Sequence, residues 1–261
     1  MIPQPSNLWS VPQPSTLVLA GTAGKGIYIL GALFRIDPKG IDTYIGVSSG
    51  SMICFLLSCG FRPYEIYQKL LKYDNPFFAN IVPSVRHGIL NTNSLFQILQ
   101  ELFCKINIDL QVFTFEDHLT LTQKHLLITA YNISMNREEV FSAETSPEMK
   151  IIDAIRLSIG IPVLFGISEY NEDTYIDGAL WNNIPINYSK TKSLAIVINK
   201  KVIPTPNCRI LSIHAHRTLT PTLASSKLEK ILMFFIGYLE ASNWEAHTFA
   251  DRSIARRYSI S

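Results

Sequence analysis

Two short strand-like segments that stop at glycine most constrain the fold of this chain. Residues 16–21 read TLVLAG and residues 42–46 read DTYIG, and an apolar segment follows each run directly. The first of these segments has Ile27 and Leu30 at helical spacing, and the second, residues 48–61, is long enough for a buried helix. Buried strands that alternate with helices are typical of parallel sheets with crossover connections. The sequence therefore predicts an α/β fold with a central, mostly parallel sheet flanked by helices.

The alternation continues along the chain. Further helices are predicted from apolar spacing, caps and glycine stops at residues 62–74, 91–106, 146–160 and about 225–248. Further strands are predicted at residues 125–133, 138–143, 193–199 and 209–215. Because no internal repeat or low-complexity linker interrupts the chain, we expect a single domain over residues 16–261, preceded by a short Pro-rich arm at residues 1–15.

Composition and charge narrow the class of protein. Hydrophobic residues make up 47% of the 261 positions and charged residues only 17%, which is ample for a sizeable core. The net charge of +2 comes with no long basic block, so a nucleic-acid partner is not expected. The four cysteines form no C-x-x-C pair, and no zinc or calcium motif occurs. No metal or other cofactor is expected.

The N-terminus and the apolar runs bear on localisation. The first fifteen residues lack the basic region and apolar core of a signal peptide. The longest apolar runs are well short of the roughly 20 residues that span a bilayer. With its unpaired cysteines, the protein is expected to be intracellular, either cytoplasmic or peripherally associated with a membrane.

Residues 44–52, YIGVSSGSM, contain the first candidate for chemistry. The glycines fit the pattern G-x-S-x-G in one register only, with Ser48 at the centre, and the pattern lies between a predicted strand and a predicted helix. A sharp turn in that context lifts the serine hydroxyl above the sheet, where it can act as a nucleophile. A glycine-rich turn without chemistry is the alternative.

Two kinds of base could activate this serine. In an α/β-hydrolase triad, which runs Ser, acid, His, the base would be His214, His216 or His247. That fold normally has several strands before the nucleophile, whereas only one precedes Ser48 here. The other candidate is Asp177, at the end of a strand-like segment and ahead of small residues; a buried aspartate with a raised pKa can deprotonate serine directly. On its own, the Asp-Gly pair also fits a simple turn.

Four ordered motifs carry a resemblance to a known family. Residues 19–33 (LAGTAGKGIYILGAL) and 45–52 (IGVSSGSM) are followed by 154–165 (AIRLSIGIPVLF) and 175–186 (YIDGALWNNIPI). In order and spacing they resemble the patatin-like phospholipase family, in which G-G-G-x-K-G forms an oxyanion hole, G-x-S-x-G carries the nucleophile and D-G-[GA] supplies the aspartate of a Ser-Asp dyad. The resemblance covers residues of about 16–186 well and the last third loosely.

The resemblance implies a three-layer patatin-like fold and a set of site residues. The implied catalytic pair is Ser48 and Asp177. The implied oxyanion loop consists of Gly21, Thr22, Ala23, Gly24, Lys25 and Gly26. The residues implied to support the motifs are Gly46, Gly50, Gly178 and Pro162. Two of the family's three consecutive glycines are replaced, by Thr22 and Ala23, so the loop either has ordinary backbone angles or is built differently.

These motifs imply a serine-dependent lipid acyl hydrolase of phospholipase A type, which acts on phospholipids or related acyl lipids through an acyl-enzyme. Peripheral contact with a membrane is expected from such a substrate. The sequence leaves the oligomeric state open. Two alternatives also stay open: a weakly active or inactive relative that binds lipid or a protein partner, and a Ser-His-Asp esterase.

Overall fold

We describe the fold from a computed structural model, in which residues 14–72, 93–162, 164–202, 205–215 and 225–258 are described. The strands are β1 (Thr16–Leu19), β2 (Thr43–Val47), β3 (His125–Asn132), β4 (Arg137–Phe141), β5 (Ser168–Tyr170), β6 (Asp173–Asp177), β7 (Ser193–Ile198) and β8 (Cys208–Ile213). The helices are α1 (Gly26–Ile36), α2 (Ser49–Ser58), α3 (Pro63–Leu71), α4 (Asn93–Phe103), α5 (Phe115–Thr122), α6 (Ile151–Ser158) and α7 (Lys227–Tyr258). Most of the Pro-rich arm lies outside the described residues.

All eight strands belong to one mixed sheet. Its main path is β5-β6-β3-β2-β1-β7-β8, and β4 pairs with β3 beside this path. The strands β3, β2, β1, β7 and β8 are mutually parallel, whereas β4, β5 and β6 pair antiparallel. The predicted α/β fold with a central, mostly parallel sheet is thus confirmed.

Strands β2 and β6 meet end to end along one edge of β3. Strand β2 pairs with residues 125–129 of β3, and β4 pairs with residues 128–132. Since Ile128 and Thr129 pair with both, β2 and β4 must lie on opposite edges of β3. Strand β6 pairs with residues 130–132 of β3, and β4 pairs with the same residues. Strands β6 and β4 must therefore lie on opposite edges of β3, which places β6 on the same edge as β2. The carboxyl ends of β2 and β6 therefore face each other.

The two faces of the sheet are covered differently. In β1, Leu17 and Leu19 point into the larger apolar cluster, to which residues of all seven helices contribute. Val18 points to the other side, where it joins a small cluster that includes Ile45 and Ala195. The segment of residues 184–188, which contains a short 3-10 helix, packs against this second cluster. Helices, sheet and this segment form the three layers.

Helices α1 and α7 cross at very close range. A Cβ on Gly31 would lie 2.0 Å from the carbonyl oxygen of Phe234, and one on Gly237 would lie 2.0 Å from that of Tyr28. Only glycine allows the two backbones to touch at these positions. The contact anchors the last helix on the helix that follows β1.

None of the described helices is long and apolar enough to span a membrane.

Two predicted helix boundaries are wrong. Helix α6 begins at Ile151, not near Pro147, because Lys150 is held in an extended conformation by a bridge to Thr114. Helix α7 extends to Tyr258, ten residues beyond its predicted end. It also leaves Leu228, Leu232 and other large apolar side chains exposed.

Candidate active site

Ser48 occupies a strained turn between β2 and α2. Its backbone has φ 53° and ψ −130°, a region that L-residues rarely adopt. The flanking glycines permit this turn: a Cβ on Gly46 would lie 2.6 Å from the Ser51 nitrogen, and one on Gly50 would lie 2.3 Å from the Leu19 carbonyl oxygen. The strand-turn-helix context predicted for G-x-S-x-G is therefore present, and Ser49 is the first residue of α2.

Asp177 is the hydrogen-bond partner of the Ser48 side chain. The Ser48 hydroxyl donates to Asp177 Oδ2 at 2.6 Å. The other carboxylate oxygen, Oδ1, accepts from the Ala179 amide at 2.8 Å, and the Asp177 amide donates to the Gly160 carbonyl at 2.9 Å. Ser48 is 5% and Asp177 1% exposed. Both oxygens of the carboxylate thus have fixed donors, and the pair is shielded from water.

The end-to-end arrangement of β2 and β6 brings this pair together. Val47, the last residue of β2, pairs with Thr129, and Asp177, the last residue of β6, pairs with the next residue, Ala130. A Cβ on Gly178 would lie 2.8 Å from the Thr129 carbonyl oxygen, so the chain can turn here only with glycine. The Asp-Gly pair is therefore a packed junction between strand ends.

Burial raises the pKa of the Asp177 carboxyl group. Loss of solvation raises the pKa of its carboxyl group to about 6, and the hydrogen bonds from Ser48 and from the Ala179 amide partly oppose this rise. A base with a pKa near 6 is ionised at neutral pH and still accepts a proton more readily than an exposed aspartate.

The glycine loop after β1 lies against Ser48. A Cβ on Gly21 would lie 3.1 Å from Cβ of Ser48 and 2.6 Å from Cβ of Ala179. The Gly21 amide donates to the Asn183 carbonyl at 3.4 Å, which ties the loop to the segment after Asp177. The loop after β1 and the segment after Asp177 therefore both lie close to Ser48, although they are far apart in sequence.

Thr22 and Ala23, the two departures from the family pattern, behave differently. Thr22 keeps a negative φ, −137°, and its amide donates to Ser49 Oγ at 2.9 Å. Ala23 has φ 50°, the left-handed conformation that favours glycine. The amides of Ala23 and Gly24 have no bonded acceptor in the described part of the chain. Lys25 donates its amide to the Thr22 carbonyl.

The other implied residues lie farther out. Gly26 is the first residue of α1, and a Cβ there would lie 3.0 Å from Ile53 of α2. Pro162 lies in the turn after α6.

Two of the described histidines, His118 and His214, have side-chain partners away from Ser48. His214 is exposed and lies 3.2 Å from Glu240. His118 is buried, bonds Ser58 at 2.7 Å, and has a pKa lowered to about 4 by burial. The side chains of His216 and His247, both candidates for a triad, lie outside the described residues.

Comparisons with known proteins identify the family of this chain. The sequence matches the patatin-like phospholipase family over residues 17–189. The chain belongs to the patatin-like phospholipase family. A relative from Invertebrate iridescent virus 6, "Probable lipid hydrolase 463L", is 38% identical over 254 residues, which cover 87% of each chain. The resemblance inferred from the four motifs is confirmed.

Solved structures confirm the patatin-like fold. VipD from Legionella pneumophila superimposes with a TM-score of 0.56 at 14% identity, covering 91% of this chain and 68% of its own. The type III effector ExoU of Pseudomonas aeruginosa gives a TM-score of 0.55 at 18% identity, covering 90% of this chain and 53% of its own. At such low identity these likenesses establish the fold alone.

In this patatin-like protein, the sequence patterns predicted no contact for three residues that lie around Ser48, namely Ser49, Ser158 and Asn183. Ser49 accepts from Thr22, Asn183 accepts from Gly21, and Ser158 bonds the Ser48 amide at 2.8 Å. Ser158 and Asn183 belong to motifs of the family resemblance, but motif spacing does not show which atoms meet. Their partners are 27 to 162 positions away in sequence, as the numbering of these pairs shows.

Proposed function

We propose that this protein is a lipid acyl hydrolase of phospholipase A type, with Ser48 as nucleophile and Asp177 as its base. The observation that carries the proposal is the 2.6 Å hydrogen bond from the Ser48 hydroxyl to a buried carboxylate. Family membership and the viral relative, whose name describes a probable lipid hydrolase, support an acyl lipid as the substrate.

The proposed reaction has two halves. Ser48 Oγ attacks the ester carbonyl as its proton passes to Asp177, and the negative charge on the carbonyl oxygen is held by backbone amides. The amides of Ala23 and Gly24 are the donors proposed for this oxyanion, because that of Thr22 is bonded to Ser49. Collapse releases the alcohol, which takes the proton from Asp177 and leaves an acyl-Ser48 ester. Asp177 then deprotonates a water that attacks this ester; the bond to Ser48 Oγ breaks, Oγ takes the proton from Asp177, and the free acid is released.

An exposed apolar surface near the dyad fits a substrate that resides in a membrane. Trp181 follows Asp177 by four residues, is 67% exposed, and stacks on Tyr131 with ring centroids 4.9 Å apart. Tyr131 in turn donates to Asn136 in the β3–β4 turn, where Met135 is also exposed. The entrance surface, defined as Ile133, Met135, Leu180 and Trp181, thus lies at the carboxyl end of β3 and around the aspartate turn. We propose that it contacts a phospholipid surface, since exposed tryptophan suits the interface between water and acyl chains.

Labelling with a fluorophosphonate, followed by product analysis on a panel of phospholipids, tests the proposal. Wild-type protein should form an adduct on Ser48 and release free fatty acid from phospholipid vesicles. Ser48→Ala and Asp177→Asn should each lower hydrolysis by at least a thousandfold while remaining folded. Ser58→Ala, which removes another buried hydroxyl from the same helix, should hydrolyse normally.

Two results would replace this assignment. Full activity of Asp177→Asn, with loss on changing His214 or His247, would establish the triad. A folded wild-type protein that forms no adduct and releases no fatty acid would be a binding protein. The bonded Thr22 amide and the left-handed Ala23 are the observations that favour this second candidate, because both alter the oxyanion loop.

A further inference from the structure

Ser158, the last residue of α6, lies at the junction where β2 and β6 meet. Its side chain is fully buried. The hydroxyl oxygen accepts from the Ser48 amide at 2.8 Å and the hydroxyl donates to the Thr129 carbonyl at 2.7 Å. Both hydrogen-bonding capacities of this small side chain are therefore used within the site.

The hydroxyl bridges two backbone groups at the end of the β2–β3 ladder. Val47 is the last residue of β2 to pair with β3, at Thr129, and β6 takes over the same edge from Ala130. The Ser48 amide and the Thr129 carbonyl face this break, and one hydroxyl joins them. Without that bridge, two buried backbone groups at the nucleophile would lack partners.

We propose that Ser158 is a positioning residue for catalysis: by holding the amide of Ser48, it keeps the nucleophile in the strained backbone conformation that aims its hydroxyl at Asp177. Ser48 has φ 53° and ψ −130°, a conformation that persists only where neighbouring contacts impose it. The Ser158 hydroxyl is such a contact, since it accepts a hydrogen bond from the amide of the strained residue. The proposal rests on the proposed function, because it assigns Ser158 a part in that reaction.

A contact from the residues just after α6 reaches the other member of the dyad. The Gly160 carbonyl, two residues after Ser158, accepts from the Asp177 amide at 2.9 Å. The end of α6 and the residues just after it therefore hold the backbone of both Ser48 and Asp177. A displacement of about 1 Å between reacting groups can cost a hundredfold in rate. Loss of the hydrogen bond between the Ser48 amide and Ser158 should therefore slow the chemical step.

The experiment compares Ser158→Ala with Ser158→Cys on a soluble ester. Alanine removes both hydrogen bonds, whereas the thiol of cysteine is a weak donor and a weak acceptor. We expect kcat to fall between tenfold and a hundredfold in Ser158→Ala and less in Ser158→Cys, with KM within twofold of wild type. The rate of fluorophosphonate labelling at Ser48 should fall in the same order.

Ser58→Ala is the matched control for a purely structural effect. Ser58 is also fully buried near the end of a helix, and its hydroxyl also has two partners, the Phe55 carbonyl and His118. It lies ten positions from the nucleophile along α2. Its loss should lower the unfolding temperature as much as Ser158→Ala does and leave kcat unchanged.

Amide hydrogen exchange at Ser48 gives a readout that needs no turnover. In Ser158→Ala this amide should exchange at least tenfold faster, relative to other amides of α2, than in wild type. Ser158→Ala with kcat within twofold of wild type, or a kcat loss of the same size in Ser58→Ala, would overturn the positioning role, and unchanged exchange at Ser48 would overturn the bridge. A wild-type protein without ester turnover would overturn the proposed function and with it the catalytic role of Ser158, while exchange would still report the bridge.

Discussion

Ser48 and Asp177 are 129 positions apart in sequence, yet their side chains share a 2.6 Å hydrogen bond at the point where two strands meet end to end on one edge of β3. In the proposed reaction, this relationship supplies a base to a serine with no histidine near it in sequence. The carboxylate is held from both sides, by the Ser48 hydroxyl and by the Ala179 amide. Burial raises the pKa of this carboxylate to about 6, so its ionisation should alter both activity and stability as the pH changes.

Activity should rise with pH through a midpoint near 6. Asp177 accepts a proton only when ionised, and burial raises the pKa of its carboxyl group to about 6. Below that pH, kcat/KM on a soluble ester should fall about tenfold per pH unit, and above it kcat/KM should be constant. A profile from pH 4 to 9 measures this. A midpoint near 4, as for an exposed aspartate, would contradict the assignment.

Ionisation of Asp177 should cost stability. Because the pKa of this group is higher in the folded protein than in the unfolded chain, the folded state binds the proton more tightly. The stabilisation by this group is full below about pH 4 and is lost as the pH rises to about 6. At 1.36 kcal/mol per pKa unit, the loss is about 3 kcal/mol.

Denaturant unfolding of wild type and Asp177→Asn at pH 4.5 and 7.5 measures this cost. The asparagine variant should gain stability relative to wild type by about 2 kcal/mol between these two pH values. A constant difference between wild type and Asp177→Asn would show that the carboxylate titrates normally.

Replacing Ala23 by glycine should relax the oxyanion loop without loss of activity. Ala23 has φ 50°, and left-handed backbone costs a non-glycine residue roughly 1–2 kcal/mol. Part of that gain is offset by the greater freedom of glycine in the unfolded chain, roughly 0.4–1 kcal/mol. We expect Ala23→Gly to be up to about 1 kcal/mol more stable, with kcat equal to or above that of wild type. A variant that is both less stable and slower would show that the Ala23 methyl group has a role of its own.

The hydroxyl of Ser49 should matter for turnover through Thr22. It accepts from the Thr22 amide at 2.9 Å and lies 3.0 Å from the Thr22 hydroxyl, so it ties the oxyanion loop to the helix of the nucleophile. Ser49→Ala should lower kcat by about tenfold with little change in KM, since the loop loses its anchor. Thr22→Val keeps the amide bond and should have a smaller effect. Equal losses in both variants would point to the side-chain contact alone.

The entrance surface should govern action on vesicles but not on soluble esters. Trp181→Ala should bind phospholipid vesicles at least fivefold more weakly and hydrolyse them correspondingly more slowly, with unchanged kcat/KM on a short-chain soluble ester. Leu121→Ala is the matched control. Leu121 is 60% exposed, but α5 ends just before the amino end of β3, whereas Ser48 follows the carboxyl end of the parallel strand β2. Equal loss of vesicle binding in both variants, or none in either, would contradict a specific contact surface.

Local patterns in the sequence predicted much of the fold. Short strand-like segments that end at glycine gave β1 and β2, and helical spacing gave α1 and α2, because burial and backbone geometry act within a few residues. The start of α6 could not be predicted in this way, since a bridge between Lys150 and Thr114 delays it. The exposure of Leu228 on α7 could not be predicted locally either, because it depends on which elements pack against that helix.

The sequence by itself determined the α/β class, the family, and the choice of Ser48 and Asp177 as candidates, since each depends on residue types at fixed local spacing. Only the tertiary structure decided how the candidates meet. The end-to-end approach of β2 and β6, and the bridge that Ser158 builds across their junction, are set by strand register and by packing between distant segments. Hydrogen bonds of this kind join atoms across more than a hundred positions, and no local pattern specifies them.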